Sequence, residues 1–366
     1  MIEVKDVKKK KSNDNSVFGN SSFSEHEQVM YCYDKATGLK AIIAIHDTTL
    51  GPALGGTRMW SYQSEADALT DVLRLSRGMT YKAAISGLGL GGGKAVIIGD
   101  AKTDKTPEMF RRYGQFIESL NGKYITAEDV GTSTSDMVAV RESTKYVTGL
   151  PESMGGGGDP SPVTAYGVFM GMKAATKECW GSDSLAGKKI AIQGVGHVGE
   201  NLVRLVSEEG AKVFVTDINQ EHLLAISQKY GAEIVALEGI YDLNVDIYAP
   251  CALGATLNNA NIKRLKCKVI AGAANNQMAD ESIHGKMVSD KGILYAPDFL
   301  INAGGLINVY SELKGYDRAE ALEQAKKIYD TTLEIFKMAK EEGLTPGEAA
   351  RKIAELRIAA ARTVGA

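Results

Sequence analysis

The chain has 366 residues, of which 44% are hydrophobic and 24% charged, and a formal net charge of −3. Such a length and mix describe a soluble globular protein of two or three domains, and the near balance of charge favours neither nucleic acid nor membrane as a partner. Cys32, Cys179, Cys251 and Cys267 stand far apart, with no Cys-x-x-Cys or Cys/His metal spacing. No disulfide framework and no metal are therefore expected, and free thiols place the protein in a reducing, cytoplasmic compartment.

Residues 1–24 are polar, with a basic run at 8–11 and no apolar stretch behind it, so a disordered extension is expected rather than a secretory signal. No segment approaches the roughly 20 apolar residues needed to cross a bilayer. Residues 28–33 and 39–46 read as strands joined by a turn at 34–38. Residues 51–58, Gly-Pro-Ala-Leu-Gly-Gly-Thr-Arg, read as a glycine-rich loop. Ser64, with Asp67 three residues on, starts a helix through Arg77. Residues 83–85 and 95–98 are short strands flanking a second glycine-rich loop, 87–94, that ends in Lys94. Because Ala95 follows Lys94, the loop fails the P-loop pattern. A lysine at the mouth of an apolar strand is where burial lowers the amine's pKa and makes it a general base; an exposed lysine in a tight connection is the competing reading. Thr106-Pro107 opens a helix to Leu120, and a strand at 124–126 delivers Ala127-Glu128-Asp129 to a loop.

Residues 155–162, Gly-Gly-Gly-Gly-Asp-Pro-Ser-Pro, mark a boundary, and a helix follows over 164–179. An apolar strand at 188–193 runs into Gly194-Val195-Gly196-His197-Val198-Gly199, a helix over 200–209, and a strand ending at Asp217, 18 residues past Gly199. Strand, G-x-G-x-x-G, helix, strand and acid at this spacing form the dinucleotide-binding fingerprint. The carboxylate of Asp217 would accept hydrogen bonds from ribose hydroxyls and repel a 2′-phosphate. No arginine follows in Ile218-Asn219-Gln220, so NAD is expected over NADP. Strands at 234–235, 246–249, 269–271 and 293–296 alternate with helices, which implies a parallel sheet with ligands at its carboxyl ends. Segments 250–252, 272–277 and 297–305 lie there. Asn275 and Asn276 read either as ligand contacts or as turn residues, and Cys251 as a small packed residue rather than a nucleophile. Residues 319–342 form an amphipathic helix, and Thr345-Pro346 opens a last helix over 347–361.

Seven segments together, 51–58, Met79-Thr-Tyr-Lys82, Gly91-Gly-Gly-Lys94, Thr126-Ala-Glu-Asp-Val-Gly-Thr132, 249–254, 274–277 and Asn302-Ala-Gly-Gly305, resemble the glutamate, leucine, phenylalanine and valine dehydrogenase family, with the leucine branch the nearest match. The resemblance covers about residues 25–358. It implies a two-domain α/β fold. An N-terminal substrate and oligomerisation domain over 25–149 would be completed by a C-terminal helix at 344–366, and a Rossmann-type NAD domain would span 150–343, with a cleft between them. It implies that Lys82 pairs with the substrate α-carboxylate assisted by the backbone near Gly55, that Lys94 is the low-pKa lysine that activates water, and that Asp129 exchanges protons with the amino group. Cofactor contacts would come from 194–199, Asp217, Thr164, Cys251 and Asn275. Glutamate-specific members place a lysine and a serine where this chain has Leu54 and Val309, so an apolar substrate side chain is expected, since a carboxylate there would be buried unpaired. Ala127 matches the leucine type, whereas Leu306 departs towards the phenylalanine type. Both narrow the pocket, each change being worth about 1–3 kcal/mol of discrimination.

The expected activity is the reversible NAD-dependent oxidative deamination of L-leucine and other branched-chain amino acids to the 2-oxo acid and ammonia, with phenylalanine or valine dehydrogenase as the alternative. A homo-oligomer, by resemblance an octamer, is expected, and no nucleic-acid or membrane partner. A 2-hydroxy-acid dehydrogenase typically needs a histidine acid/base, and none of the five histidines lies in the Gly-Lys or Thr-Ala-Glu-Asp motifs. A non-catalytic NAD sensor would keep its function without Lys94.

Overall fold

The computed structural model describes residues 16–364. These form two compact units: residues through Thr80 with Leu90–Val147, and Tyr81–Gly89 with Thr148 onward.

The first unit is a five-stranded mixed sheet flanked by helices. Its elements are β1 (Gln28–Asp34), β2 (Leu39–Asp47), β3 (Ala53–Trp60), most of α1 (Glu65–Ile85), β4 (Gly91–Ile98), α2 (Pro107–Ser119), β5 (Tyr124–Glu128) and α3 (Thr134–Arg141). The sheet order is β1-β2-β4-β3-β5. β1 and β2 form a hairpin because Asp34 Oδ2 accepts both the N–H and the Oγ1–H of Thr37 at 2.9 Å, and Gly38 takes φ +73°. Ser64 Oγ accepts the Asp67 N–H at 3.1 Å to start α1, and Thr106 caps α2 with Pro107 in its first turn.

Three local expectations change here. Residues 53–58 and 91–94 are strand, not loop, and α1 continues through 83–85, taking Lys82 into its last turn. Glycine is a poor strand residue, but these glycines sit where backbone meets backbone: an added Cβ at Gly55 would lie 1.7 Å from Gly93 O, and at Gly92 2.1 Å from Thr80 N. Tight packing between strands and against α1 selects them. The disordered extension expected over 1–24 is also corrected for its described part. Val17 and Phe23 pack against the cluster of Ile42, Leu69, Val72, Leu73 and Val96, and Asn20 Nδ2 donates to Thr70 Oγ1 at 2.9 Å. Residues 1–15 lie outside the described residues.

The second unit holds α4 (Ser161–Trp180), β6 (Lys189–Gln193), α5 (His197–Glu208), β7 (Lys212–Thr216), α6 (Gln220–Tyr230), β8 (Glu233–Ile234), β9 (Ile247–Pro250), α7 (Asn259–Arg264), β10 (Val269–Ile270), α8 (Glu281–Asp290), β11 (Leu294–Tyr295), α9 (Asp298–Ile301), α10 (Gly304–Glu312), α11 (Arg318–Lys326), α12 (Ile328–Glu342) and α13 (Pro346–Val364). Its strands run β11-β10-β9-β6-β7-β8, all paired in parallel. Counted from β6 along the chain this is the 3-2-1-4-5-6 order of a doubly wound nucleotide-binding sheet, and it reverses direction between β6 and β9. The single helix expected over 319–342 divides at Lys327.

The C-terminal helix, expected over 344–366 to complete the N-terminal domain, falls in the unit that also holds residues 81–89. α13 packs on α12, α8 and β11. Arg357 Nη1 donates to the carbonyls of Ala84 (3.2 Å) and Ile85 (2.6 Å), satisfying the open end of α1, and Tyr81 OH donates to Glu355 at 3.1 Å. Residues 81–89 and α13 therefore share one unit. Among the described residues no helix is long and apolar enough to cross a membrane, and no His/Cys/Asp/Glu group is placed to hold a metal. All four cysteines are free.

Candidate active site

Lys94 lies in β4, inside the first sheet, opposite Ala44 of β2. It is 6% exposed. Its Nζ stands 3.0 Å from Asp129 Oδ2. Burial disfavours the ammonium and lowers the Lys94 pKa, against the pull of Asp129 that raises it. Asp129 is delivered by β5. Its turn is locked because Thr132 Oγ1 accepts the Asp129 N–H (2.9 Å) and donates to Thr57 O (2.8 Å), while Met59 N–H donates to Val130 O. Gly131 is required at φ +81°, where a Cβ would also strike Met59 O at 2.0 Å. Burial raises the Asp129 pKa, but the nearby charges of Lys94 and Arg58 more than offset that and hold the carboxyl below its usual range. A buried amine inclined to lose its proton, beside a carboxylate inclined to stay ionised, is a proton-exchanging pair.

The residues expected in the substrate pocket divide between the units. Leu54 and Gly55 in β3 and Ala127 in β5 pair across one ladder of the first sheet, Leu54 with Ile125 and Gly56 with Ala127. Leu54 and Ala127 are both buried. Tyr124 OH donates to Gly55 O at 2.6 Å and fixes that backbone. Leu306, buried, and Val309, half-buried, lie in α10 of the second unit.

In the second unit Lys82 Nζ donates to Asn302 Oδ1 at 2.7 Å. Asn302, 4% exposed, donates in turn through Nδ2 to Asn275 Oδ1 (2.8 Å) and Ala273 O (3.1 Å). Asn302 stands in one of the quoted motifs but received no role from the sequence. Nothing local marks it, because the contact joins positions 220 residues apart. It also separates the two asparagines: Asn275 joins this chain of amides, while Asn276 takes φ 50° as a turn residue. Thr164 packs against the start of α10, where an added Cβ on Gly304 would lie 2.5 Å from its N atom. Asp298 at the start of α9 has its pKa raised by burial, with nearby Lys82 pulling the other way.

The fingerprint sits at the carboxyl end of β6, at the sheet's switch point. Gly194 takes φ +95°, and an added Cβ would lie 2.7 Å from Ala252 N. A Cβ on Gly199 would lie 2.1 Å from Gly194 O, so this glycine lets α5 pack on the strand. A Cβ on Gly196 would meet nothing within 4 Å. Its role is not internal packing, and open backbone at the start of a helix is what an approaching pyrophosphate requires. His197 at the start of α5 is exposed, Val198 half-buried and Val195 buried. Asp217 Oδ2 accepts the Val195 N–H (2.8 Å) and Oδ1 the Asn219 N–H (2.9 Å), which turns the carboxylate towards the glycine turn. Cys251 N–H donates to Gln193 O, and burial pushes its thiol up to about 12, so it is a packed thiol and not a nucleophile. The residues present fit a dinucleotide.

A doubly wound sheet with this glycine turn, together with a separate α/β unit carrying a buried lysine–carboxylate pair, defines a two-domain dehydrogenase. Residues 26–146 match the family described as Glu/Leu/Phe/Val dehydrogenase, dimerisation domain, and residues 155–220 and 214–364 match Glutamate/Leucine/Phenylalanine/Valine dehydrogenase. The chain is 58% identical over 334 residues to leucine dehydrogenase of Thermoactinomyces intermedius, covering 91% of each. It is 56% identical over 335 residues to leucine dehydrogenase of Bacillus cereus, covering 92% of this chain and 91% of the other. The crystal structure of L-tryptophan dehydrogenase from Nostoc punctiforme superposes with a TM-score of 0.85 at 49% identity, over 93% of this chain and 97% of that one. The chain belongs to the glutamate/leucine/phenylalanine/valine dehydrogenase family.

Proposed function

We propose that this protein catalyses the reversible NAD-dependent oxidative deamination of L-leucine and the other branched-chain amino acids to the 2-oxo acid and ammonia. The observation that carries the chemistry is the buried Lys94–Asp129 pair at 3.0 Å. Relatives named leucine dehydrogenase at 55–58% identity support the substrate class.

Bound at Gly194–Gly199 and Asp217, with Thr164, Cys251 and Asn275 alongside, a nicotinamide nucleotide would supply the hydride acceptor. Asp217 with Ile218-Asn219-Gln220 after it offers no cation to a 2′-phosphate, which supports NAD. The chain's own groups do the rest. Lys82, held by Asn302, takes the α-carboxylate. Asp129 accepts a proton from the substrate amino group and returns one to the leaving ammonia. Lys94, as the neutral amine, takes a proton from the water that attacks the imino carbon. Buried Leu54 and Ala127 favour an aliphatic side chain and disfavour a carboxylate, which would lie there unpaired. The match to a dimerisation domain supports a homo-oligomer, which we take to be an octamer, and the four free thiols fit a cytoplasmic setting.

Relatives named for tryptophan (51% identity) and phenylalanine (49%) make an aromatic substrate the second reading. Initial rates of NADH formation with leucine, isoleucine, valine and phenylalanine separate the two. The aliphatic three are expected to be oxidised and phenylalanine poorly; phenylalanine fastest would overturn the assignment.

A further inference from the structure

Lys94 and Asp129 do not stand alone. Asp129 Oδ2, the oxygen that faces Lys94, also accepts from Arg58 Nε at 3.1 Å. The same guanidinium donates through Nη1 to Asp71 Oδ2 at 2.8 Å. Asp71 is held in turn by Tyr62 OH (2.7 Å, to Oδ2) and by Arg74 Nη2 (3.0 Å, to Oδ1). Arg58 comes from β3, Asp71 and Arg74 from α1, Asp129 from the turn after β5, and Tyr62 from the connection between β3 and α1. β2, the other strand beside Lys94, presents uncharged Ala44 at the paired position.

Charge counting shows what this network does. With Lys94 protonated it holds three cations (Lys94, Arg58, Arg74) and two anions (Asp129, Asp71). With Lys94 neutral it holds two of each, and both carboxylates keep a cation at hydrogen-bond distance. Remove Arg58 and the balance inverts. A neutral Lys94 would then leave Asp129 ionised beside no cation, a state that costs most where water is excluded. The proton would stay on Lys94 to prevent it. An arginine suits the position because it does not deprotonate and because its rigid fork of donors reaches two carboxylates at once.

We propose that Arg58, braced by Asp71 and Tyr62, is a positioning residue that serves as the standing counter-ion of Asp129 and so frees Lys94 to give up its proton and act as the base. The electrostatic balance around Lys94 agrees: burial lowers its pKa most, Asp129 raises it, Arg58 lowers it and Asp71 raises it. The catalytic meaning of the network rests on the deamination proposed above; the effect on Lys94 can be read without it.

The test is the pH midpoint of Lys94 itself. Competitive acetylation of the intact enzyme across a pH series, read by mass spectrometry on the Lys94 peptide, reports the fraction of neutral amine without any substrate. The acidic limb of kcat/KM for leucine is followed in parallel. Arg58→Gln is expected to raise the Lys94 midpoint by about one pH unit or more, the scale of a lost neighbouring charge, and to move the acidic limb of kcat/KM up with it. Arg58→Lys should recover most of the shift. Asp71→Asn should move the midpoint down, since it removes an anion and leaves Arg58 wholly to Asp129; this variant keeps the test open should Arg58→Gln not fold. A midpoint unmoved or lowered in Arg58→Gln, or raised in Asp71→Asn, overturns the proposal. If the midpoints shift as expected but the wild type releases no ammonia from any branched-chain amino acid, the functional reading fails and the counter-ion role stands. If leucine turns over and the midpoints do not shift, the counter-ion role fails alone.

Discussion

The open face of Gly196 gives a direct test of the nucleotide site. Gly196 has φ −61° and ψ −167°, which alanine adopts without strain, and an added methyl would meet no protein atom within 4 Å. Gly196→Ala should therefore fold with an unchanged melting temperature. The methyl would stand where the pyrophosphate has to approach. Overpacking of this kind costs about 1–3 kcal/mol, or roughly a 5- to 150-fold rise in dissociation constant. Gly199→Ala is the opposite case: its methyl would lie 2.1 Å from Gly194 O, so α5 must move off the strand and the melting temperature should fall. Thermal melts and NADH fluorescence titration of the two variants read both quantities. A Gly196→Ala protein that binds NADH as tightly as the wild type would refute the assignment of this glycine to the ligand. A destabilised one would refute the reading of its surroundings as open.

Lys94→Ala is expected to abolish oxidation of leucine while NADH binding survives, and measurable turnover would remove Lys94 from the role of base. Activity of the wild type should rise with pH as Lys94 loses its proton, because only the neutral amine is a base; a rate independent of pH would count against it. Gly92→Ala should cost about 3 kcal/mol or more in chemical denaturation, since its methyl would lie 2.1 Å from Thr80 N. Gly78→Ala, inside α1 with nothing within 4 Å, should instead stabilise by about 0.5–1 kcal/mol. Acid should weaken the first unit through its histidines. Burial pushes His46 down to about 4, helped by neighbouring His26, which is itself lowered by burial. The unfolded chain thus binds more protons than the folded one between about pH 6.5 and 4. Stability is full above that window and is lost as pH falls through it, by at most about 3 kcal/mol for His46. Denaturation series at pH 7, 6, 5 and 4.5 should show that loss and a shallower one in His46→Gln; equal slopes would exclude His46.

The nucleotide-binding half was legible because its signals are local. A strand, three glycines, a helix and an acid follow one another within some thirty residues, and each is needed where it stands. The first unit was harder to read. Gly55, Gly56 and residues 91–93 look like loop to any propensity argument, and only the approach of Gly93 O to Gly55, or of Thr80 to Gly92, makes glycine the strand residue. The sequence carries α1 only as far as Arg77 because Ala83-Ala84-Ile85 reads as well for a buried strand as for a buried helix turn, and in the structure it is helix to Ile85. Lys94, Lys82 and Asp129 were visible as motif residues. Arg58, Asp71 and Asn302 were not assigned, because what they do depends on partners 13 to 220 residues away, and a single sequence does not show which distant side chains meet.

The most direct measurement is the product balance with leucine as sole substrate, NADH and ammonia being followed in the same sample. One NADH and one ammonia should appear for each leucine consumed, with 2-oxo-4-methylpentanoate as the carbon product. NADH without ammonia, or NAD reduction that requires a 2-hydroxy acid, would contradict oxidative deamination outright.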